Sequence, residues 1–315
     1  MKAVQFSEHG EAEVLQFVDV PTPQPTAGEV LIKVAAAGVN YADVLQRKGT
    51  YPMPVTLPHV AGYEVAGTIE ACGEGVTNVA VGQRVMAMVP SGGYAEYAVA
   101  AAAQVIPLPD GLGDAEATAL LVQGLTAVGL LNTGSYGSVL VLAAAGGVGS
   151  VLVQVAKNRG QQVIAAVGSA AKKAAVLASG ADAAVSYADA DWVQQVRDAT
   201  DGVGVSASFD AVGGKVGADA LQTLGAGGTG VIYGAASGEP TMLAAQQLIG
   251  QVQAVRGYTL FSEVSKLAAY AGELIGYLQA GKLQLPVQTY PIAEVQTAHR
   301  DMESRRTQGK VVLLF

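Results

Sequence analysis

Residues 139–157, VLVLAAAGGVGSVLVQVAK, decide the fold. The apolar, β-branched run 139–142 reads as a buried strand. It ends in a turn of small residues, Ala143-Ala144-Ala145-Gly146-Gly147-Val148-Gly149, and a helical pattern follows at once. Strand, glycine turn and helix in that order form a cradle for a dinucleotide pyrophosphate. Glycine lets the backbone approach the phosphates, and the helix N-terminus offers free N–H groups and partial positive charge. The spacing is that of a three-glycine fingerprint with alanine in the first place.

Working outward, strands and helices alternate. Strands are predicted at 163–167, 183–186, 206–212 and 230–233, and helices at 148–158, 170–179, 190–199 and 216–224. Such alternation implies a parallel sheet with right-handed crossovers. Upstream, 1–115 is β-rich, with short apolar runs at 30–34, 65–72, 84–89 and 94–99 bounded by glycines, and Pro21, Pro23 and Pro25 mark an irregular connection. A small-residue helix over 115–131 marks the change of texture. Downstream come a long helix at 262–280, the segment 286–291, a helix near 293–303 and a final apolar strand at 310–315.

The bulk properties narrow the field. The chain has 315 residues, half of them hydrophobic and 14% charged, which describes a globular protein with ample core. Its 40 glycines suit many tight turns between strands and helices. A net charge of -8 argues against nucleic acid or an anionic membrane as the main partner. Cys72 is the only cysteine, so neither an internal disulfide nor a cysteine-based zinc cluster is available. The N-terminus MKAVQFSEHGE lacks an apolar signal core and reads as mature sequence, and no uninterrupted apolar run reaches membrane-spanning length, so a cytoplasmic protein is expected.

The end of the second strand of the alternating region selects the cofactor. An NAD site places Asp or Glu there to bind the ribose 2′-OH. This chain has Gly168-Ser169-Ala170-Ala171-Lys172-Lys173, with a hydroxyl, two ammonium groups and no acid. That favours a 2′-phosphate, and hence NADPH. The plainer alternative is that Lys172 and Lys173 are solvated residues at a helix start.

The chain resembles the zinc-independent quinone oxidoreductases (zeta-crystallin type) of the medium-chain dehydrogenase/reductase superfamily. The likeness runs through Gly38-Val39-Asn40-Tyr41-Ala42-Asp43, Gly62-Tyr63-Glu64-Val65-Ala66-Gly67, Gly82-Gln83-Arg84-Val85 and Gly92-Gly93-Tyr94-Ala95-Glu96-Tyr97. It continues in Gly124-Leu125-Thr126-Ala127, the glycine turn, Ser186-Tyr187 and Glu303-Ser304-Arg305-Arg306-Thr307-Gln308-Gly309. The resemblance implies an α/β fold in which a doubly wound Rossmann sheet is inserted into a GroES-like β-rich catalytic domain. The expected segments are 1–115, GroES-like; 116–255, Rossmann; and 256–315, the return to the catalytic domain. By motif position, Gly146, Gly147, Val148 and Gly149 would cradle the pyrophosphate. Ser169, Lys172, Tyr187 and Arg305, beside Gly168, would form the 2′-phosphate pocket. Asn40 and Thr126 would flank the nicotinamide, and Tyr233, Gly234 and Ser237 would border the cofactor cleft. Relatives commonly form homodimers through their Rossmann domains, with 229–235 here as the expected edge.

Zinc-dependent relatives carry cysteine at the position of Asn40 and histidine at that of Tyr63. With only His9, His59 and His299 and one cysteine, a catalytic zinc lacks its ligands, and no metal is expected. Without a Lewis acid, hydride acceptors whose reduced form is delocalised remain feasible, namely quinones and α,β-unsaturated carbonyls. Catalysis then reduces to positioning and hydrogen bonding to a developing oxyanion. Asn40 and Tyr51 are the candidate donors, and the proton comes from water. Asp43, one helical turn from Asn40, either orients it or pairs with Arg47 four residues on. Three functions stay open: an NADPH-dependent quinone reductase, an NADPH-dependent enal, enone or enoyl reductase, and a non-enzymatic NADPH- or RNA-binding protein.

Overall fold

Chain order begins with β1 (Lys2–Phe6), β2 (Gln16–Asp19), β3 (Glu29–Val39), α1 (Tyr41–Arg47), β4 (His59–Val60), β5 (Glu64–Cys72), β6 (Arg84–Met88), β7 (Tyr97–Ala101), β8 (Val105–Pro107) and α2 (Asp114–Ala119). A computed structural model describes residues 1–315, which divide into two units: 1–122 with 285–315, and 123–284. The helix expected over 115–131 is interrupted. After α2 the chain makes a π turn, Leu120–Leu125, with Leu121 outside helical geometry, before α3 (Thr126–Leu131) begins. The break has a local cause: Val122 donates its N–H to the Glu64 carboxylate at 2.9 Å instead of to a helix carbonyl. Residues 114–131 are apolar and long enough to cross a membrane on those criteria alone, but 78% of the stretch is buried inside the protein.

The second unit continues with β9 (Ser138–Val141), α4 (Gly147–Asn158), β10 (Gln162–Val167), α5 (Lys173–Ala178), β11 (Ala183–Ser186), α6 (Trp192–Asp198), β12 (Val205–Asp210), α7 (Gly214–Leu221), β13 (Leu224–Ile232), β14 (Ala254–Gly257) and α8 (Leu267–Gln279). Its six strands are parallel in the order β11-β10-β9-β12-β13-β14. This is the doubly wound Rossmann order, whose direction reverses between β9 and β12, and ligands bind beyond the carboxyl ends of strands at such a point. The central strands β9, β10 and β12 are buried on both faces, as parallel strands flanked by helices must be.

Three expectations change here. Leu224 opens a strand nine residues long, not the end of a helix. β13 lies between β12 and β14, so 229–235 is interior and β14 is the sheet edge. β14 and α8 also carry the unit to Gln284, well past residue 255. The four-residue β14 pairs only with β13 and is largely exposed.

The chain then returns to the first unit through β15 (Val287–Pro291), α9 (Val295–Glu303) and β16 (Lys310–Leu314). These close a sheet in the order β15-β16-β3-β5-β6-β8, with β7 also on β3, while β2-β1-β4 form a smaller sheet. β16 pairs antiparallel with the end of β3, Val311 opposite Val39. That register sets Lys310 beside the first turn of α1. The apolar residues of β3, β5, β6 and β16 share one core with Phe6, Tyr94 and Tyr290.

Candidate active site

In the second unit, β9 delivers the chain to the turn and α4 leaves it. Ala143 takes a left-handed φ of +50°, the conformation for which the fingerprint normally supplies glycine. Gly146 donates its N–H to Ala143 O at 2.8 Å and caps α4. A Cβ at Gly149 would run into Ala143 O and Ala144 Cα, so glycine there lets helix and strand approach. A Cβ at Gly147 would press on Gln123 Cγ. Val148 and Gly149 lie in the first turn of α4, whose N–H groups have no carbonyl partners within the helix. The turn therefore fits a pyrophosphate.

At the end of β10, a Cβ on Gly168 would sit 3.0 Å from Tyr187 Oη, so the glycine and the phenol meet. Ser169 caps a short 3-10 turn, Ala170–Lys172, and is exposed. Lys172 is partly buried, which pulls its pKa below the usual lysine value. Lys173 is committed elsewhere, to Asp189 at 3.2 Å. Of the two ammonium groups expected, Lys172 alone stands with Gly168, Ser169 and Tyr187 for a phosphate. Arg305 belongs to the first unit, is exposed, and has a left-handed φ of +60°.

The loop after β12 holds a residue that pattern reading missed. Asp210 is buried; its Oδ1 accepts the N–H groups of Val212 (2.7 Å) and Gly213 (2.9 Å), and its Oδ2 accepts Thr241 Oγ1 at 2.6 Å. One carboxylate thus fixes the loop at the switch point. An acid followed by the Gly213-Gly214 pair was its only signal. Ser237 donates its N–H to Val212 O, and a Cβ on Gly234 would lie 3.2 Å from Ala211 O, so the expected cleft residues adjoin this loop. Burial, aided by the Asp210 charge, raises the Tyr233 phenol well above its usual value. Thr126 opens α3 and is buried.

In the first unit, Asn40 is the N-cap of α1 and is 6% exposed. Asp43 closes a capping box, its Oδ2 accepting the Asn40 N–H at 2.7 Å. The same oxygen accepts Tyr94 Oη at 2.8 Å. No ion pair joins Asp43 to Arg47. Arg47, wholly buried, pairs with Glu303 instead, so Asp43 orients Asn40, and it does so through the backbone. Burial drives the Asp43 carboxyl up to about 7, against the hydrogen bonds from Asn40 and Tyr94 and the charge of Lys310. Buried His299 is held neutral, its pKa lowered to about 3 by burial and then by the Arg47 charge. Tyr51 is partly buried and lines a small recess with His9, Gln46 and Met53. Burial and then the Asp43 charge raise its phenol and that of Tyr63.

The side chain of Asn40 is held by two residues to which sequence reading assigned no role. Glu64 Oε1 accepts Asn40 Nδ2 at 2.9 Å, and Lys310 Nζ donates to Asn40 Oδ1 at 3.1 Å. Lys310 and Glu64 also pair with each other, at 1% and 0% side-chain exposure. Removing one partner of such a pair costs about 3–5 kcal/mol, because it strands a buried charge. Glu64 lies in the Gly62-Tyr63-Glu64 motif, but nothing local marks Lys310, which is 246 residues away. No three His, Cys, Asp or Glu side chains come together as a metal-binding group.

A parallel Rossmann sheet with a glycine turn before its first helix, set within the sequence of a GroES-like, mostly antiparallel unit, defines a medium-chain dehydrogenase/reductase. Residues 26–110 match the alcohol dehydrogenase GroES-like domain, and 179–313 match the zinc-binding dehydrogenase family. The chain is 35% identical to a probable quinone oxidoreductase of Schizosaccharomyces pombe over 99% of its length and 96% of that protein's. It is also 35% identical to a quinone oxidoreductase of Pseudomonas aeruginosa, over 99% of both. The structure of Escherichia coli quinone oxidoreductase complexed with NADPH superposes with a TM-score of 0.95 at 31% identity, over the whole of both chains. A mycobacterial structure complexed with NADPH gives 0.94 at 38%, also over both whole chains. The chain belongs to the quinone oxidoreductase family of the medium-chain dehydrogenases/reductases. Between 179 and 313 it offers one histidine, His299, and no cysteine, so the zinc-binding family name is not matched by a ligand set.

Proposed function

We propose that this chain is an NADPH-dependent oxidoreductase that reduces quinones. The observation that carries the reading is the end of β10, where Gly168, Ser169, Lys172 and Tyr187 offer hydroxyls and an ammonium group without a competing acid. That set suits a 2′-phosphate, on a chain whose relatives include a quinone oxidoreductase solved with NADPH. When bound, NADPH supplies a hydride.

The chain's own residues bind and orient. The N–H groups of Gly147, Val148 and Gly149 hold the pyrophosphate, Gly146 beside them lets it approach the turn although its own N–H is taken by Ala143 O, and Arg305 adds its guanidinium to the 2′-phosphate. Thr126, Tyr233, Gly234 and Ser237 border the nicotinamide half. Asn40 and Tyr51 donate hydrogen bonds to the acceptor oxygen as it gains charge, and Asp43 holds the backbone of Asn40. A quinone takes up one hydride and one proton to become a hydroquinone; water supplies the proton. The chemistry is metal-free in this reading, because Asn40 and Tyr63 stand where zinc ligands would. We place the enzyme in the cytoplasm as a homodimer, with the exposed edge strand β14 at the subunit contact.

The test is a panel of acceptors with the purified protein. NADPH oxidation should be faster than NADH oxidation, with benzoquinone and phenanthrenequinone as substrates. Turnover confined to an alkenal or an enoyl thioester would assign the alternative reductase activity. Tight NADPH binding with no turnover on any acceptor would remove the enzyme reading altogether.

A further inference from the structure

Lys310 has no part in the reading so far, yet it is the most deliberately accommodated charge in the first unit. Its ammonium donates to Val39 O (3.0 Å) and Asn40 Oδ1 (3.1 Å) and pairs with Glu64. Glu64 in turn accepts Asn40 Nδ2 through Oε1 and Val122 N through Oε2, each at 2.9 Å. Gly38 makes the room: a Cβ there would lie 2.6 Å from Lys310 Cε and collide with Glu64 Oε1. A buried lysine–glutamate pair is a poor source of stability compared with apolar side chains of the same volume, so stability alone is a weak reason for keeping it.

Its arrangement around Asn40 is specific. The amide oxygen meets the ammonium and the amide nitrogen meets the carboxylate. Turning the amide over would set its oxygen against the carboxylate and its NH2 against the ammonium. One of two orientations of nearly identical shape is therefore selected by charge. Donation from Lys310 to Oδ1 also draws electron density from the amide and strengthens its N–H as a donor.

We propose that Lys310 and Glu64 are positioning residues for hydride transfer: they lock and polarise the Asn40 carboxamide so that its N–H side serves the acceptor oxygen as negative charge builds. This rests on the reading of Asn40 as an oxyanion donor given above. A donor fixed beforehand needs no reorganisation at the moment of reaction, which is how preorganised dipoles accelerate a charge-developing step.

The experiment is a mutant cycle. Lys310→Met with Glu64→Gln removes both charges at near-constant volume and strands neither. Asn40→Ala is made alone and in that double variant. The measurements are kcat with phenanthrenequinone, NADPH Kd by fluorescence, and the thermal midpoint. The double variant should lose about 10- to 100-fold in kcat, within the range for loss of an oxyanion donor, with NADPH Kd held within about threefold. Asn40→Ala should cost about 100-fold in the wild-type background but only about 1- to 10-fold in the double variant, whose amide is already unlocked, the remaining cost shrinking as the double variant's own loss grows. A purely structural pair would instead give multiplying effects, and equal costs of Asn40→Ala in both backgrounds would overturn the proposal, as would full kcat in the double variant. Should that double variant not fold, Lys310→Leu with Glu64→Met, which again removes both charges together, carries the same cycle. A wild type that binds NADPH but reduces no quinone overturns the functional reading and this one with it. An active wild type with multiplying effects overturns this one alone.

Discussion

Replacing Asp43 with asparagine should make stability rise more steeply with pH between about pH 5 and pH 6. Two buried groups oppose each other in that window. Folding raises the Asp43 carboxyl from 3.8 to about 7, so the folded chain holds a proton that the unfolded chain has lost, and stability falls as pH rises. Folding lowers His299 from 6.5 to about 3, so the unfolded chain holds a proton that the folded chain refuses, and stability rises with pH. Each effect amounts to about 1.2 kcal/mol per pH unit between about pH 5 and pH 6. These two largely cancel, and the wild type keeps the smaller rise contributed by His59, whose pKa burial also lowers. Asp43→Asn keeps an oxygen to accept the Asn40 N–H but removes one of the two slopes. The variant should therefore gain about 1.2 kcal/mol more than the wild type between about pH 5 and pH 6. His299→Gln should show the mirror image, losing stability over the same interval. Urea unfolding at fixed ionic strength, with the slope m checked for constancy, reads the difference. Equal pH slopes in wild type and Asp43→Asn would show that Asp43 is ionised in the fold, and would refute the reasoning.

Lys172→Ala should raise the NADPH KM by about 10- to 100-fold, the value of a charge-assisted hydrogen bond, and leave the NADH KM nearly unchanged; an unaltered NADPH KM would sink the 2′-phosphate assignment. Ala143→Gly should stabilise by about 0.5 kcal/mol, since relief of left-handed strain outweighs the added flexibility of the unfolded chain, whereas Gly149→Ala should destabilise by about 1–3 kcal/mol by pushing α4 off β9. Thermal unfolding of the pair should move in opposite directions. Elemental analysis of enzyme dialysed against a chelator should find far less than one zinc per chain, with quinone turnover retained; loss of activity restored by zinc would contradict the metal-free reading.

The Rossmann unit was legible because its signals are local. The strand–turn–helix at 139–158 and the alternation after it follow from backbone constraints and hydrophobic period, which short stretches carry in full. The cofactor preference was legible for the same reason, from the few residues that follow β10. Asn40 was found as a position but not as a mechanism. Its partners Glu64 and Lys310 come from β5 and β16, and only the antiparallel register of β16 against β3 sets Lys310 over the first turn of α1. Asp43 illustrates the limit most sharply: helical spacing offered Arg47 as its partner, but Arg47 is drawn to Glu303 on α9, 256 residues away. The π turn at Leu120–Leu125 was hidden likewise, since a carboxylate from another strand breaks the helix there.

The chain by itself thus determined the fold class, the glycine turn and the phosphorylated cofactor, all of which depend on residue type at short separation. The tertiary structure alone decided which charges meet. Burial of Lys310, Glu64, Asp43 and Arg47 in one unit makes each charge demand a partner, and those partners are supplied by strands and helices remote in sequence, whose pairing is a property of the packed core.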